Sequence, residues 1–285
     1  KIHVDIDQSS INKTIVVDVP IVGDCASVLA DMIRIWKEIK AKREPKARKK
    51  WWAQIEQWRK RDCLRYTQSD EIIKPQYALE RLYALTKDTD TYITTEVGQH
   101  QMWAAQYYKF EEPKRWMTSG GLGTMGYGFP AAIGVQMAHP KSTVIDIAGE
   151  ASFQMNMQEM STAMQYRLPV KVFILNNEYM GMVRQWQELL YGGRYSESYT
   201  ASLPDFVKLA ESYGAAGLRA TRPDEVDDVI KEMLSNDSFT ICDIAVDKTE
   251  NCFPMIPSGA PHNEMLMGPE DETNRPTSVE GMVLV

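Results

Sequence analysis

The apolar positions Val28, Leu29, Met32, Ile33 and Trp36 recur three and four residues apart after Gly23-Asp24, which predicts an amphipathic helix from Cys25 to about Lys40. Ahead of it the pattern changes to alternation. Lys1 to Asp7 and Thr14 to Val22 read as strands, joined by the polar turn Gln8 to Lys13. Residues 1–40 therefore read as a β-β-α remnant, the end of an α/β domain entered part-way through. A basic run of Lys40, Lys42, Arg43, Lys46, Arg48, Lys49 and Lys50 follows, broken by Pro45, and marks a linker or a helix restart. Beyond it Trp51, Ile55 and Trp58 stand at helical spacing. Residues 41–75 thus read as a basic linker and an amphipathic helix docking on a core, with base stacking as the other use of such aromatics.

From Gln76 the chain settles into helices alternating with short apolar strands. Helix is expected over Gln76 to Thr86, from Gly120 to Met137, Met157 to Arg167, Leu203 to Tyr213 and Pro223 to Leu234. Strand is expected over Thr91 to Val97, Thr143 to Ala148, Val170 to Leu175, Gly217 to Ala220 and Phe239 to Val246. Such alternation means βαβ units, so residues 76–250 are expected to form a mostly parallel, doubly wound α/β sheet. Residues 251–285, rich in Pro, Gly, Asn and Met without a period, read as a tail lying over that domain.

Composition narrows the function classes. A net charge of -7 argues against nucleic-acid or anionic-membrane binding, and the basic run reads as a solvated linker face in so acidic a chain. No apolar stretch reaches the roughly 20 residues of a membrane helix. Cys25, Cys63, Cys242 and Cys252 are widely spaced with no Cys-x-x-Cys pair, which favours neither a zinc site nor a disulfide framework and fits a reducing cytoplasm. Small molecules are the expected partners.

The chemistry concentrates at two strand ends. The strand from Thr143 runs straight into Gly149-Glu150-Ala151-Ser152, where small side chains let backbone N–H groups approach an anion and Glu150 can hold a cation beside it. The strand from Val170 ends in Asn176-Asn177. A single crossover helix makes the two strands parallel, so both loops emerge at the same carboxyl edge, where open α/β sheets bind ligands. Each motif alone is ordinary turn chemistry. Together they offer a carboxylate, an amide oxygen, a backbone carbonyl and room for diphosphate oxygens, the hard set that Mg²⁺ takes at roughly 2.1 Å. No Gly-x-Gly-x-x-Gly follows a strand with a ribose-binding acid downstream, which argues against a dinucleotide site. The histidines His3, His100, His139 and His262 form no metal or nucleophile pattern among themselves.

Gly149-Glu150-Ala151 followed by Asn176-Asn177 resembles the fingerprint of thiamine-diphosphate enzymes. Among these the chain is similar to the acetolactate synthase catalytic subunit, through Val97-Gly-Gln-His-Gln-Met-Trp103, Trp116 to Gly128 and Asn176 to Gln187. The likeness covers most of the chain and corresponds to the C-terminal half of that family. It implies thiamine diphosphate with Mg²⁺ held by Glu150, Asn177 and the carbonyl of Tyr179, and Gly98, Gln99, His100, Gly149, Ala151, Ser152, Met180 and Gly181 around the diphosphate. It also implies Gly123 and Met125 behind the bent cofactor, Met182 beside cofactor and substrate, and Trp186 on the substrate. For Met125 and Trp186 a plain core role is the alternative.

The family's reaction joins pyruvate, after decarboxylation, to a second 2-keto acid, pyruvate or 2-ketobutyrate, on the way to branched-chain amino acids. The resemblance further implies a homo-oligomer, a possible regulatory small subunit, and FAD in the full-length parent. The family's proton-relay glutamate lies on an N-terminal domain outside this chain, so the isolated chain is expected to be inactive. Other thiamine-diphosphate enzymes, such as a pyruvate oxidase, glyoxylate carboligase or keto-acid decarboxylase, share the metal loop, and a non-catalytic homologue would keep the fold. The run Met182 to Gln187 favours acetolactate synthase. One departure stands out: Glu150 occupies a place where the family usually has aspartate. Its extra methylene means either that the loop retracts to compensate or that metal and cofactor bind more weakly; the small neighbours Ala151 and Ser152 leave room, so compensation is expected.

Overall fold

The computed structural model describes residues 1–39, 45–200, 202–257, 259–261 and 263–268. Lys40, Lys42 and Arg43 of the basic run, His262 and residues 269–285 of the tail lie outside the described residues. The chain forms two compact units, Lys1–Asp62 and a second beginning at Cys63.

In the first unit, β1 (Ile2–Asp5) and β2 (Val19–Val22) pair in parallel, Ile2 opposite Val19. Both strands are shorter than the alternation predicts. Asp7 caps a 3₁₀ turn over Gln8–Ser10, and Asn12, in a left-handed backbone conformation, accepts from Val17 N at 2.9 Å, so residues 11–18 are committed to a loop. Helix α1 (Cys25–Glu38) starts where Asp24 accepts from Ser27 N at 2.9 Å. Its apolar residues Leu29, Met32, Ile33 and Trp36 are exposed. Helix α2 (Pro45–Arg59) begins with the proline, which is tolerated in a first helical turn. The docking expected of its aromatics is not seen: Trp51, Trp52 and Trp58 are exposed, and Trp51 packs edge-on against Trp58 at 5.4 Å.

The second unit runs α3 (Pro75–Thr86), β3 (Thr91–Thr95), α4 (Gln99–Tyr107), β4 (Trp116–Thr118), α5 (Gly128–Ala138), β5 (Thr143–Ala148), α6 (Glu150–Phe153), α7 (Met160–Gln165) and β6 (Lys171–Asn176). It continues with α8 (Gly181–Leu190), α9 (Phe206–Ser212), β7 (Ala216–Ala220), α10 (Val226–Ser235) and β8 (Thr240–Ala245). The six strands β3 to β8 form one all-parallel sheet in the order β4-β3-β5-β6-β8-β7. Alternation along the strands feeds two cores. Ile145, Ile147, Phe173 and Leu175 meet Leu79 and Leu82 of α3, Trp103 of α4 and Ile230 of α10 on one face. Val144, Ala148, Val172 and Ile174 meet Phe129 of α5, Met160 of α7 and Phe206 of α9 on the other.

The elements differ from the expectation in four respects. The helix expected from Gly120 begins only at Gly128, because Gly123 and Gly126 sit at φ 64° and 85°, outside the helical region. The segment from Gln99 to Tyr107, read only as a motif, is a helix. The short edge strand Trp116–Thr118 carried no alternation long enough to reveal it. The expected helices at Met157 and Pro223 each open with a 3₁₀ turn.

This topology creates the crevice. After β3 the chain enters α4 on one face, whereas after the adjacent β5 it enters α6 and α7 on the other, so the two carboxyl-end loops diverge. Such a switch point is where doubly wound sheets bind ligands.

Phe173 is fully buried at the sheet centre, in the core of the second unit. Phe173→Ala is expected to cost about 3–5 kcal/mol in urea unfolding, whereas the exposed Trp51→Ala changes stability by less than about 0.5 kcal/mol. Equal losses at the two positions would contradict the division of the core described above.

Candidate functional site at the carboxyl edge of the sheet

A cleft opens between the ends of β3, β5 and β6. Of the residues anticipated from sequence, Gly98, Gln99, His100, Met125, Gly149, Glu150, Ala151, Ser152, Asn177, Tyr179, Met180, Gly181 and Met182 all line it. Gly123 does not: it is exposed on the loop ahead of α5. Val97, Trp103, Leu175 and Val183 complete the wall, three of them apolar strand-end or helix residues whose place required the topology rather than a motif.

The wall is built on close approach. A side chain at Gly149 would put its Cβ 2.7 Å from His100 Nδ1, and one at Gly181 would stand 2.0 Å from Gln99 Oε1 and 2.8 Å from Asn177 Nδ2. Only glycine lets the β5 and β6 loops press against the start of α4 in this way. Gly126 N donates to Glu96 at 2.6 Å, as does Phe129 N at 3.0 Å, so the buried Glu96 carboxylate fastens the loop bearing Met125 to the end of β3. Ser152 Oγ donates to the same carboxylate at 2.8 Å and ties in the β5 loop.

Three polar atoms of residues lining this cleft are buried without any partner, Glu150 Oε1, His100 Nε2 and Trp103 Nε1. Burial pushes the Glu150 carboxyl up to about 8, and the nearby Asp243 charge adds to the rise, against hydrogen bonds from its own backbone N–H and those of Asn177 and Tyr179. The same contacts show that the Glu150 side chain reaches the β6 loop. The longer side chain is therefore accommodated inside the cleft at 1% exposure. Burial holds His100 down to about 3, against the pull of a hydrogen bond to the Glu96 backbone, so the ring is neutral at pH 7.

Asn177 Oδ1 accepts from Tyr179 N at 3.2 Å while its Nδ2 donates to Gln99 Oε1 at 3.1 Å, which directs the amide oxygen toward the loop that holds the Tyr179 backbone. Among the described residues no three His, Cys, Asp or Glu side chains gather as a self-sufficient metal site. One carboxylate, one amide oxygen and one carbonyl make an incomplete oxygen shell, which fits a Mg²⁺ whose remaining ligands come from a diphosphate and water.

Met182 is shared with a second, open cleft lined by Val183, Trp186, Gln187, Tyr191 and Arg194. Trp186 is 44% exposed there, so a core role is ruled out, and its four-residue spacing from Met182 puts both on the same side of α8. Trp186 is not among the residues lining the first cleft.

His100 gives a pH test. The unfolded imidazole takes a proton below about pH 6.5, while the folded one does so only near pH 3. The unfolded state therefore binds more protons in that window. The stability tied to the neutral ring is complete above about pH 6.5 and is lost as pH falls toward 3. His100→Asn is expected to flatten this part of the stability curve, read as urea midpoints at pH 7 and 4.5; an unchanged slope would contradict the burial of the ring.

Comparison with known proteins agrees with this geometry. Residues 96–244 match the family model described as "Thiamine pyrophosphate enzyme, C-terminal TPP binding domain", from the end of β3 to β8. The chain is 49% identical over 275 residues to the acetolactate synthase isozyme 3 large subunit of Escherichia coli (strain K12), covering 95% of this chain and 48% of the relative. It is 46% identical to the acetolactate synthase large subunit of Haemophilus influenzae over 96% of this chain and 48% of the relative. It is 42% identical to that of Porphyra purpurea over 93% of this chain and 44% of the relative. The chain thus spans about half the length of these curated relatives. With the matched family covering the strands, loops and cleft described above, the chain belongs to the thiamine pyrophosphate enzymes and carries their C-terminal cofactor-binding domain.

Proposed function

We propose that this chain is the cofactor-binding half of an acetolactate synthase catalytic subunit, and that the cleft holds Mg²⁺ and the diphosphate of thiamine diphosphate. The observation that carries the reading is the buried Glu150 oxygen without a partner, set beside Asn177 and Tyr179 at the carboxyl edge of adjacent parallel strands. A cation there supplies the missing partner. Glu150, Asn177 Oδ1 and the Tyr179 carbonyl are its protein ligands; Gly98, Gln99, His100, Ser152, Met180 and Gly181 surround the diphosphate.

When bound, thiamine diphosphate supplies a carbon acid able to add to a keto carbonyl and to accept the electron pair left as carbon dioxide departs. The chain's residues do the rest. Met125, half-buried and lining the cleft, offers a soft support for a folded cofactor. The neutral His100 presents an uncharged ring nitrogen to the diphosphate side. Met182 and Trp186 give an apolar wall for the acceptor, a second 2-keto acid, pyruvate or 2-ketobutyrate.

For the whole protein the reading includes FAD, a homo-oligomer, a regulatory small subunit as partner and a cytoplasmic setting. The large-subunit names of the relatives support the small-subunit partner, and their greater length leaves room for further domains. Among the described residues no helix is long and apolar enough to cross a membrane.

Calorimetric titration with thiamine diphosphate tests the reading. Binding is expected to depend on Mg²⁺, to vanish in Glu150→Ala, and to persist in Glu150→Asp, which keeps a carboxylate at the metal. Binding of equal strength with and without Mg²⁺, or unaffected by Glu150→Ala, would overturn it.

A further inference from the structure

Three side-chain amides form a line from the metal side of the cleft to the backbone after β8. Asn177 Nδ2 donates to Gln99 Oε1 at 3.1 Å, Gln99 Nε2 donates to Gln185 Oε1 at 2.8 Å, and Gln185 Oε1 accepts also from Cys252 N at 2.8 Å. Gln185 is fully buried, Gln99 is 2% and Asn177 5% exposed. An amide side chain can turn over, exchanging oxygen for NH₂ with almost no change of shape, so its orientation must be set by its partners.

Here the far end of the line cannot turn over, because Cys252 N–H is a backbone donor. It fixes the Gln185 oxygen inward and leaves Gln185 Nε2 to donate to Cys252 O at 3.3 Å and Met255 Sδ at 3.0 Å. That oxygen demands the NH₂ of Gln99, which a second backbone group, Glu250 O at 3.0 Å, also accepts from. The Gln99 oxygen is then left for Asn177 NH₂, and the Asn177 oxygen, which also accepts from Tyr179 N at 3.2 Å, is turned to the cleft. We infer that Gln185 is a positioning residue for the metal, passing the polarity of the Cys252 backbone through Gln99 to the amide of Asn177 so that its oxygen and not its NH₂ faces the cation.

The inference rests on the metal assignment proposed above and adds a residue that does not line the cleft. The backbone end of the line is itself held firmly. Arg184, next along α8, donates to Thr249 O at 2.8 Å, Glu250 O at 3.2 Å and Asn251 Oδ1 at 2.6 Å, and Lys74 bridges Asp247 at 2.8 Å and also pairs with Glu250. Residues 247–255 thus act as a fixed reference against which the amides are oriented. Metal affinity is thereby tied to a strap remote in sequence from either metal loop.

The test is a Mg²⁺ titration of the intact protein by calorimetry at saturating thiamine diphosphate, comparing wild type with Gln185→Met and Gln185→Glu. Methionine keeps the volume and loses the acceptor. Glutamate, protonated in so buried a place, keeps an acceptor oxygen for Cys252 N and Gln99 Nε2. Gln185→Met is expected to weaken Mg²⁺ by about 10- to 100-fold, the usual cost of losing a group that orients a ligand, while Gln185→Glu stays within about threefold of wild type. Should Gln185→Met fail to fold, Gln185→Asn, one methylene too short to reach Gln99, takes its place with the same expectation. Unchanged Mg²⁺ affinity in the variant lacking the acceptor, or equal weakening in Gln185→Glu, would overturn the relay. If wild type itself binds the cofactor without any need for Mg²⁺, the metal assignment falls and takes the relay with it.

Discussion

A carboxylate taken out of water without a counter-charge is among the most expensive arrangements a fold can hold. Glu150 is placed at such a point, 1% exposed with one oxygen lacking any partner, and the surrounding architecture explains how it is kept there. Parallel pairing of β5 and β6 brings the ends of both strands to one edge, the crossover to opposite faces opens a gap between β3 and β5, and Gly149 and Gly181 let the loops close in on His100 and Gln99. The protein alone answers the burial with a raised proton affinity. A cation answers it with a charge, which is why the family assignment and the electrostatics lead to the same place.

Much of the second unit was legible because its signals were local and mutually consistent. Apolar runs at Thr143 and Val170, each ending in turn chemistry, fixed two adjacent strands and the edge from which Glu150 and Asn177 face one cleft. What escaped the sequence were elements whose cause lies in tertiary contact. The segment Gln99–Tyr107 folds as a helix with buried Gln99, His100, Trp103 and Ala104 on more than one side, so no amphipathic stripe announced it. The stretch from Gly120 carried helix-forming neighbours, yet its glycines adopt left-handed backbone angles that keep Gly123 outside the cleft while Met125 turns in.

The first unit shows the converse. Its periodicity correctly located helix α1, but a pattern of apolar positions states only that a face is suited to burial, not that a partner is at hand. Leu29, Met32, Ile33 and Trp36 remain exposed, as do the tryptophans of α2. The polar constellations were the least legible of all. Glu96, Gln99 and Gln185 carry no motif for the roles that their hydrogen bonds give them, because a buried polar residue is interpretable only once its partners are known.

The most direct test of the account is to locate the metal. A crystal of the protein grown with thiamine diphosphate and Mn²⁺, measured at the manganese absorption edge, should show one strong anomalous peak between the ends of β5 and β6, at roughly 2.2 Å from oxygens of Glu150, Asn177 and Tyr179. Diphosphate bound in the cleft with the Glu150 carboxylate turned away from the ion, or a peak elsewhere in the chain, would contradict it.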